Sequence, residues 1–185
     1  MALSGLVRRL LGTAMVSLDA AKALADAVDA ATPGGATLTA TNAELINVAD
    51  ISAREVDWTV AGAVTAAAHS GKTVGINNTT GFATTLPAAT GSGAKYRFVI
   101  KATVASGNHT IVATGAHLFG NCFTISDNSA AVLGYKANGA TTITMDGSTR
   151  GGIKGDVIEI EDVATNVLIV RMTVAGTGSE ATPFS

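Results

Sequence analysis

The chain is poor in the residues that usually staple, charge or rigidify a protein. One cysteine, Cys122, stands among 185 residues, so no disulfide can form within the chain and the fold must hold by packing. Charged residues make up 14%, against about a quarter in an average soluble protein, and the net charge is −2. With no basic excess to release counterions from phosphate, nucleic acid is not expected as a partner. No apolar run reaches the roughly 18 residues that a helical span needs, so no membrane partner is expected either. Aromatics are only 4%, and the 47% of hydrophobic residues lean on Ala and Val. Each core position filled by Ala in place of Leu forgoes about 2–3 kcal/mol, at about 0.8 kcal/mol per buried carbon. A lone subunit would be thinly supported, which points to association with copies of itself or with a larger surface.

What is present divides into two regions. Residues 1–35 read as an arm followed by a short α-helix. Arg8 and Arg9 precede the apolar stretch Leu10 to Leu18, but Gly12, Thr13 and Ser17 interrupt it and Asp19 closes it, which argues against a signal peptide. Ser17 can cap a helix, Asp19 suits its first turn, and Leu18, Ala21, Ala25 and Val28 recur at helical spacing until Thr32-Pro33-Gly34-Gly35 ends it.

Residues 36–185 read as a β-rich domain. Val56, Trp58 and Val60 alternate with Asp57 and Thr59; Val74 and Ile76 lead to a turn at Asn77-Asn78; Phe82, Thr84 and Leu86 follow, and Pro87 ends that run. The glycines of AATGSG, Ala88 to Gly93, mark a reversal. Beyond it, Lys95, Arg97, Val99 and Lys101 lie on one side of a strand, with Tyr96, Phe98 and Ile100 on the other. Further strands are expected at Thr110–Thr114, Cys122–Ser126, Thr141–Met145, Asp156–Glu161 and Val167–Val174. Asn138-Gly139 and Asp146-Gly147 give hairpin signals. Short strands with glycine punctuation and no intervening helices predict a mainly β fold, an antiparallel β-sandwich or a jelly-roll-like barrel. No fixed-period repeat marks a solenoid.

Motifs that could carry chemistry are few. HSGKT, His69 to Thr73, resembles the end of a phosphate-binding loop, but Ala66 stands where that loop needs glycine and a strand follows it, so it reads as a hairpin turn. GTGSEA, Gly176 to Ala181, lies too close to the end of the chain for a helix to present its amides to a pyrophosphate, and reads as a flexible tail. His69, His109 and His117 lack metal-ligand spacing, and no cofactor or metal is expected. Cys122, flanked by Phe123 and Ile125, reads as a buried inert thiol and not as a nucleophile served by His117. Glu159 and Glu161 alternate with Ile158 and Ile160 as a solvated face would. Asp50, Glu55 and Asp57 could serve a cation, yet Arg54 lies among them. No Asp or Glu occurs from Trp58 to Thr124, whereas Lys72, Lys95, Arg97 and Lys101 all fall there. These cations read either as lysines guarding strand edges or as an anion-facing patch. Trp58, the single tryptophan, is either core or a contact anchor.

The series GKTVGINNTTGFATTLPAATGSGAKYRFVI, the segment TITMDGSTRGGIKGDVIEIEDV and the C-terminal TVAGTGSEATPFS give the chain its most characteristic texture. Over Ala61 to Ser185 it resembles the capsid decoration, or cement, proteins of tailed bacteriophages, in the manner of marine and cyanobacterial phages. The resemblance implies a structural, non-enzymatic virion protein on the outer capsid surface, with the major capsid protein as partner and a homo-oligomer, a trimer or else a dimer, as the working form. It implies that the arm bearing Arg8, Arg9 and Leu10, or the helix bearing Leu18, grips capsid or sister subunits; Trp58, Lys95 and Arg97, singled out by the residues themselves, are further contact candidates. Two other readings stand beside it. One is a tail-fibre or tail adapter module binding host carbohydrate or other tail proteins, with Tyr96, Tyr135 and Trp58 available for sugar stacking. The other is a small hydrolase assembled from Asp50, Asp57 or Glu159.

Overall fold

Alternation of apolar and polar residues becomes strand after strand in the computed structural model, which describes residues 54–127 and 131–185. The expected arm and helix, with Arg8, Arg9, Leu10 and Leu18, lie outside the described residues, as does the part of the expected β-rich domain before Arg54, with Asp50. The described elements are β1 (Glu55–Trp58), β2 (Gly62–Ala63), α1 (Ala66–His69), β3 (Thr73–Ile76), β4 (Ala83–Leu86), β5 (Lys95–Ile100), β6 (His109–Ala113), β7 (His117–Ser126), β8 (Val132–Ala140), β9 (Thr142–Met145), β10 (Val157–Ala164) and β11 (Val167–Gly176). They form a wide sheet, β1-β3-β5-β10-β11-β7-β8, and a narrow one, β2-β4-β6-β9. One apolar core joins them, with Phe98, Ile160 and Met172 from the wide sheet and Ile111, Ile143 and Met145 from the narrow one.

The fold is mainly β and sandwich-like, as the alternation predicts, but its strand pairing is mixed. β1, β3 and β5 run parallel, and so do β2, β4 and β6. The cause is that loops expected to turn a hairpin instead hand the chain to the other sheet. Asn77-Asn78 carries it from β3 to β4, and AATGSG carries it back to β5. The first six strands therefore wind as three coils. Glu55, Thr73 and Arg97 stack in register at intervals of 18 and 24 residues, and Gly62, Thr84 and Ile111 at 22 and 27. Unequal coils leave no sequence period. The chain then changes style, and β10 and β11 insert as an antiparallel hairpin between β5 and β7.

Three expectations are corrected here. β7 starts at His117, ahead of Cys122, and β8 was not expected at all. In β8 every residue but Ala137 is at least partly exposed, so it lacks the buried alternation that marks a strand. Asn138-Gly139 turns no hairpin. Gly139, at φ 84°, is the extra residue where the β7–β8 register shifts between Leu118 and Phe119, a bulge that needs a left-handed residue. The C-terminal segment is no flexible tail. Thr144 N–H donates to Pro183 O at 2.8 Å, Thr142 and Ser185 exchange bonds at 2.9 and 3.0 Å, and Phe184 is buried opposite Ile143. This segment covers the outer edge of β9, satisfying groups that an open edge would leave free.

The AATGSG crossing is held by a carboxylate. Asp162, 3% exposed near the end of β10, accepts hydrogen bonds from Gly91 N–H at 2.8 Å, Ser92 N–H at 3.1 Å, Thr90 N–H at 3.1 Å and the Ser92 hydroxyl at 2.6 Å. Gly91 and Gly93, at φ 80° and 73°, let successive amides converge on it. Burial works against the charge, but the Ser92, Gly91 and Thr90 donors outweigh it and bring the carboxyl down to about 2. Against an ordinary aspartate, that shift corresponds to about 2 kcal/mol of stability. Because the folded value is depressed, the contribution is full above about pH 4 and is lost as pH falls toward 2. Asp156, buried and bonded by Gly152, Ile153 and Ala175 amides, titrates the other way, since burial raises it despite those donors.

Asp162→Ala is expected to lower the unfolding free energy by about 3 kcal/mol in urea titrations at pH 7, because several buried donors lose their acceptor. The exposed Glu159→Ala should change it by less than about 0.5 kcal/mol. Between pH 5 and 2 the Asp162→Ala protein should lose less stability than the parent. An equal acid loss in both would remove Asp162 from this role.

Candidate interaction surface

The outer face of the wide sheet collects the chain's scarce charges into rows. Strand register aligns Glu55, Thr73, Arg97, Glu159, Arg171, Asn121 and Lys136 in one line from β1 to β8. Arg97 lies 3.9 Å from Glu159 and donates to the Thr73 hydroxyl at 3.2 Å; Lys95 lies 3.5 Å from Glu161 in the neighbouring row. Just past β5, the Lys101 ammonium sits 2.8 Å from both Glu55 and Asp57, and the bonds it donates to Asp57 and then to Glu55 hold it above its ordinary range. Exposed pairs of this kind add little to stability, so the rows act mainly on what the face can meet. A groove of about 340 Å³ runs among Lys72, Lys95, Arg97, Arg171, Glu159 and Glu161, four cations against two carboxylates.

The same face turns apolar toward β8. Phe123 (53% exposed), Ile125 (52%) and Val132 (61%) point outward together on β7 and β8, with Ile125 directly opposite Val132 and Phe123 opposite Gly134. Nothing approaches within 4 Å of where a Gly134 side chain would begin, so a shallow hollow adjoins the phenyl ring. Together they form an exposed apolar patch beside the charged rows. Phe123 could have been found in the sequence, since it alternates with the buried Cys122 and Thr124. Val132 could not, because its strand carries no pattern.

Each sequence candidate has a definite place. Lys95 and Arg97 lie on β5, an interior strand, so they do not guard an edge; they belong to the charged rows. Trp58 is half-buried on β1, its ring against Gly62 and edge-on to His69 at 5.3 Å between centroids. Glu55 and Asp57 are engaged by the Lys101 ammonium of the same chain. Asp57 and Glu159 do not converge, since β3 and β5 separate their strands by about 14 Å, beyond the spacing of a hydrolytic pair. His69 closes the four-residue α1, and the HSGKT segment leads from it into β3, joining the two sheets where a hairpin turn was expected.

His109 is fully buried and structural. Its Nδ1 accepts from Phe82 N–H at 3.1 Å and its Nε2 donates to Asn78 O at 3.0 Å, so the ring pins the β3–β4 crossing in its neutral form. Burial lowers its ionisation accordingly. His117 is exposed while Cys122 is buried, on opposite faces of β7, so neither serves the other. Burial pushes the thiol up to about 11. Among the described residues no three His, Cys, Asp or Glu side chains gather where they could hold a metal ion, and no helix is long and apolar enough to cross a membrane. Comparison with protein families, with characterised proteins and with solved structures finds no match to this chain.

Native protein at pH 7 is expected to resist a thiol reagent such as dithionitrobenzoate for hours, and to react at its one cysteine within minutes in denaturant. Rapid labelling of the folded chain would show that Cys122 is accessible and reactive.

Proposed function

We propose that this protein is a structural component of a bacteriophage virion that sits on the outer capsid surface and clamps neighbouring capsid subunits, with the major capsid protein as its partner and several copies acting together. The observation that carries the reading is the wide outer face, where paired charges give way to the exposed cluster of Phe123, Ile125 and Val132. A protein that fastens onto repeated sites needs a rigid sheet and a contact patch, and avidity over many copies multiplies weak contacts. Its buried aspartates are engaged in holding loops, which suits a rigid body. The carbohydrate-binding alternative draws less support. Tyr96 is 2% exposed, and Trp58 and Tyr135 are partly buried against the core, so the three together present little aromatic surface for a sugar to stack on.

Purified full-length chain should co-sediment with expanded capsids of the phage that encodes it, and Phe123→Asp should weaken that binding by about tenfold while melting with the parent. Particles lacking the protein should lose heat resistance. Absence of capsid binding, together with unchanged particle stability, would end this reading.

A further inference from the structure

The C-terminal segment closes the outer edge of β9, whereas among the described residues no strand pairs with the outer side of β8 or of β1. The bond from Ser126 N–H to Ala131 O sets the phase of the β7–β8 ladder. It leaves the backbone groups of Val132, Gly134 and Lys136 pointing outward, because bonded and non-bonded pairs alternate. On β1, Trp58 O accepts from Asn77 N–H, so Val56 and Trp58 face β3 while Glu55 and Asp57 present their backbone groups outward. On both strands the outward-bonding residues carry their side chains on the charged outer face of the sheet.

Direction agrees as well. β1 runs parallel to β3, β5, β11 and β7, and β8 runs against them. β1 of a second copy can therefore add to β8 as an antiparallel strand and continue the sheet with the same face outward. In the register that places Lys136 opposite Glu55, Gly134 lies opposite Asp57, where its open hollow leaves room for the carboxylate. On the other side of the pleat, Tyr135 then meets Val56, and the 38%-exposed Leu133 meets the half-buried Trp58. A shift by two residues still sets Lys136 against an acid, Asp57.

We propose that copies of this chain join head to tail by pairing β8 of one with β1 of the next, with Lys136 set against Glu55. The contact joins two different edges, so repetition makes a ring or an open chain of subunits and not a two-fold dimer. The main-chain bonds supply a general attraction and the Lys136–Glu55 pair selects the register. This pairing is a property of the isolated protein and stands apart from any shell.

The test is sedimentation velocity of the full-length chain across a concentration series, without capsids. The parent should self-associate. Lys136→Glu and Glu55→Lys should each weaken association by roughly tenfold or more through like-charge opposition. The double exchange, which restores opposite charges across the contact, should recover it, and unchanged melting curves will show that each variant is folded. A parent that stays monomeric at all concentrations would overturn the proposal. So would single exchanges that leave association intact, or a double exchange that fails to restore it.

Discussion

One buried carboxylate decides how the two halves of this molecule meet. The first six strands wind as coils, and the rest form a hairpin and an edge pair; the junction lies where β10 settles against β5. There Asp162 gathers the amides of Thr90, Gly91 and Ser92, while its own backbone exchanges bonds with the same loop, donating to Ala94 O and accepting from Gly93 N–H. An amide-lined loop has no reason to take that path without an anion at its centre. Once β10 is fixed beside β5, strand pairing carries β11, β7 and β8 outward in sequence. The paired rows of charge follow from the same register. The broad outer face is thus a consequence of a contact made at its end.

This also explains how a chain so poor in large side chains holds together. Thin burial per residue is offset by closing loops with side-chain acceptors, and Asp146, Asp156 and Asp162 each take bonds from several donors. His109 does the corresponding work at the β3–β4 crossing. Among the described residues, polar groups that the sequence offers as candidate chemistry are engaged in shaping the backbone.

Much of the fold was legible in the sequence, and the failures share a cause. Strands with one buried face were visible as alternation, and β5 follows the expected sides residue by residue. Sheet membership was not visible. A turn that closes a hairpin and a turn that crosses between sheets use the same Asn, Gly and Ser, and unequal coil lengths hide the repeat. β8 was lost because its residues are nearly all exposed, and the C-terminal segment because Phe184 finds its partner, Ile143, far along the chain. Of the candidate contact residues, Lys95 and Arg97 do lie on the outer face, and Trp58 on an edge strand. Phe123 and Val132 were missed: the first was read as the wall of a buried thiol, and the second lies in the unrecognised strand.

The most direct test of the account is a carboxyl-carbon NMR titration of the Asp162 side chain in the folded protein. The expected result is ionisation near pH 2, with the resonance still that of a carboxylate at pH 3. A midpoint at the ordinary aspartate value, about 4, would mean that the loop amides do not grip the carboxylate, and the layout built on that grip would fall.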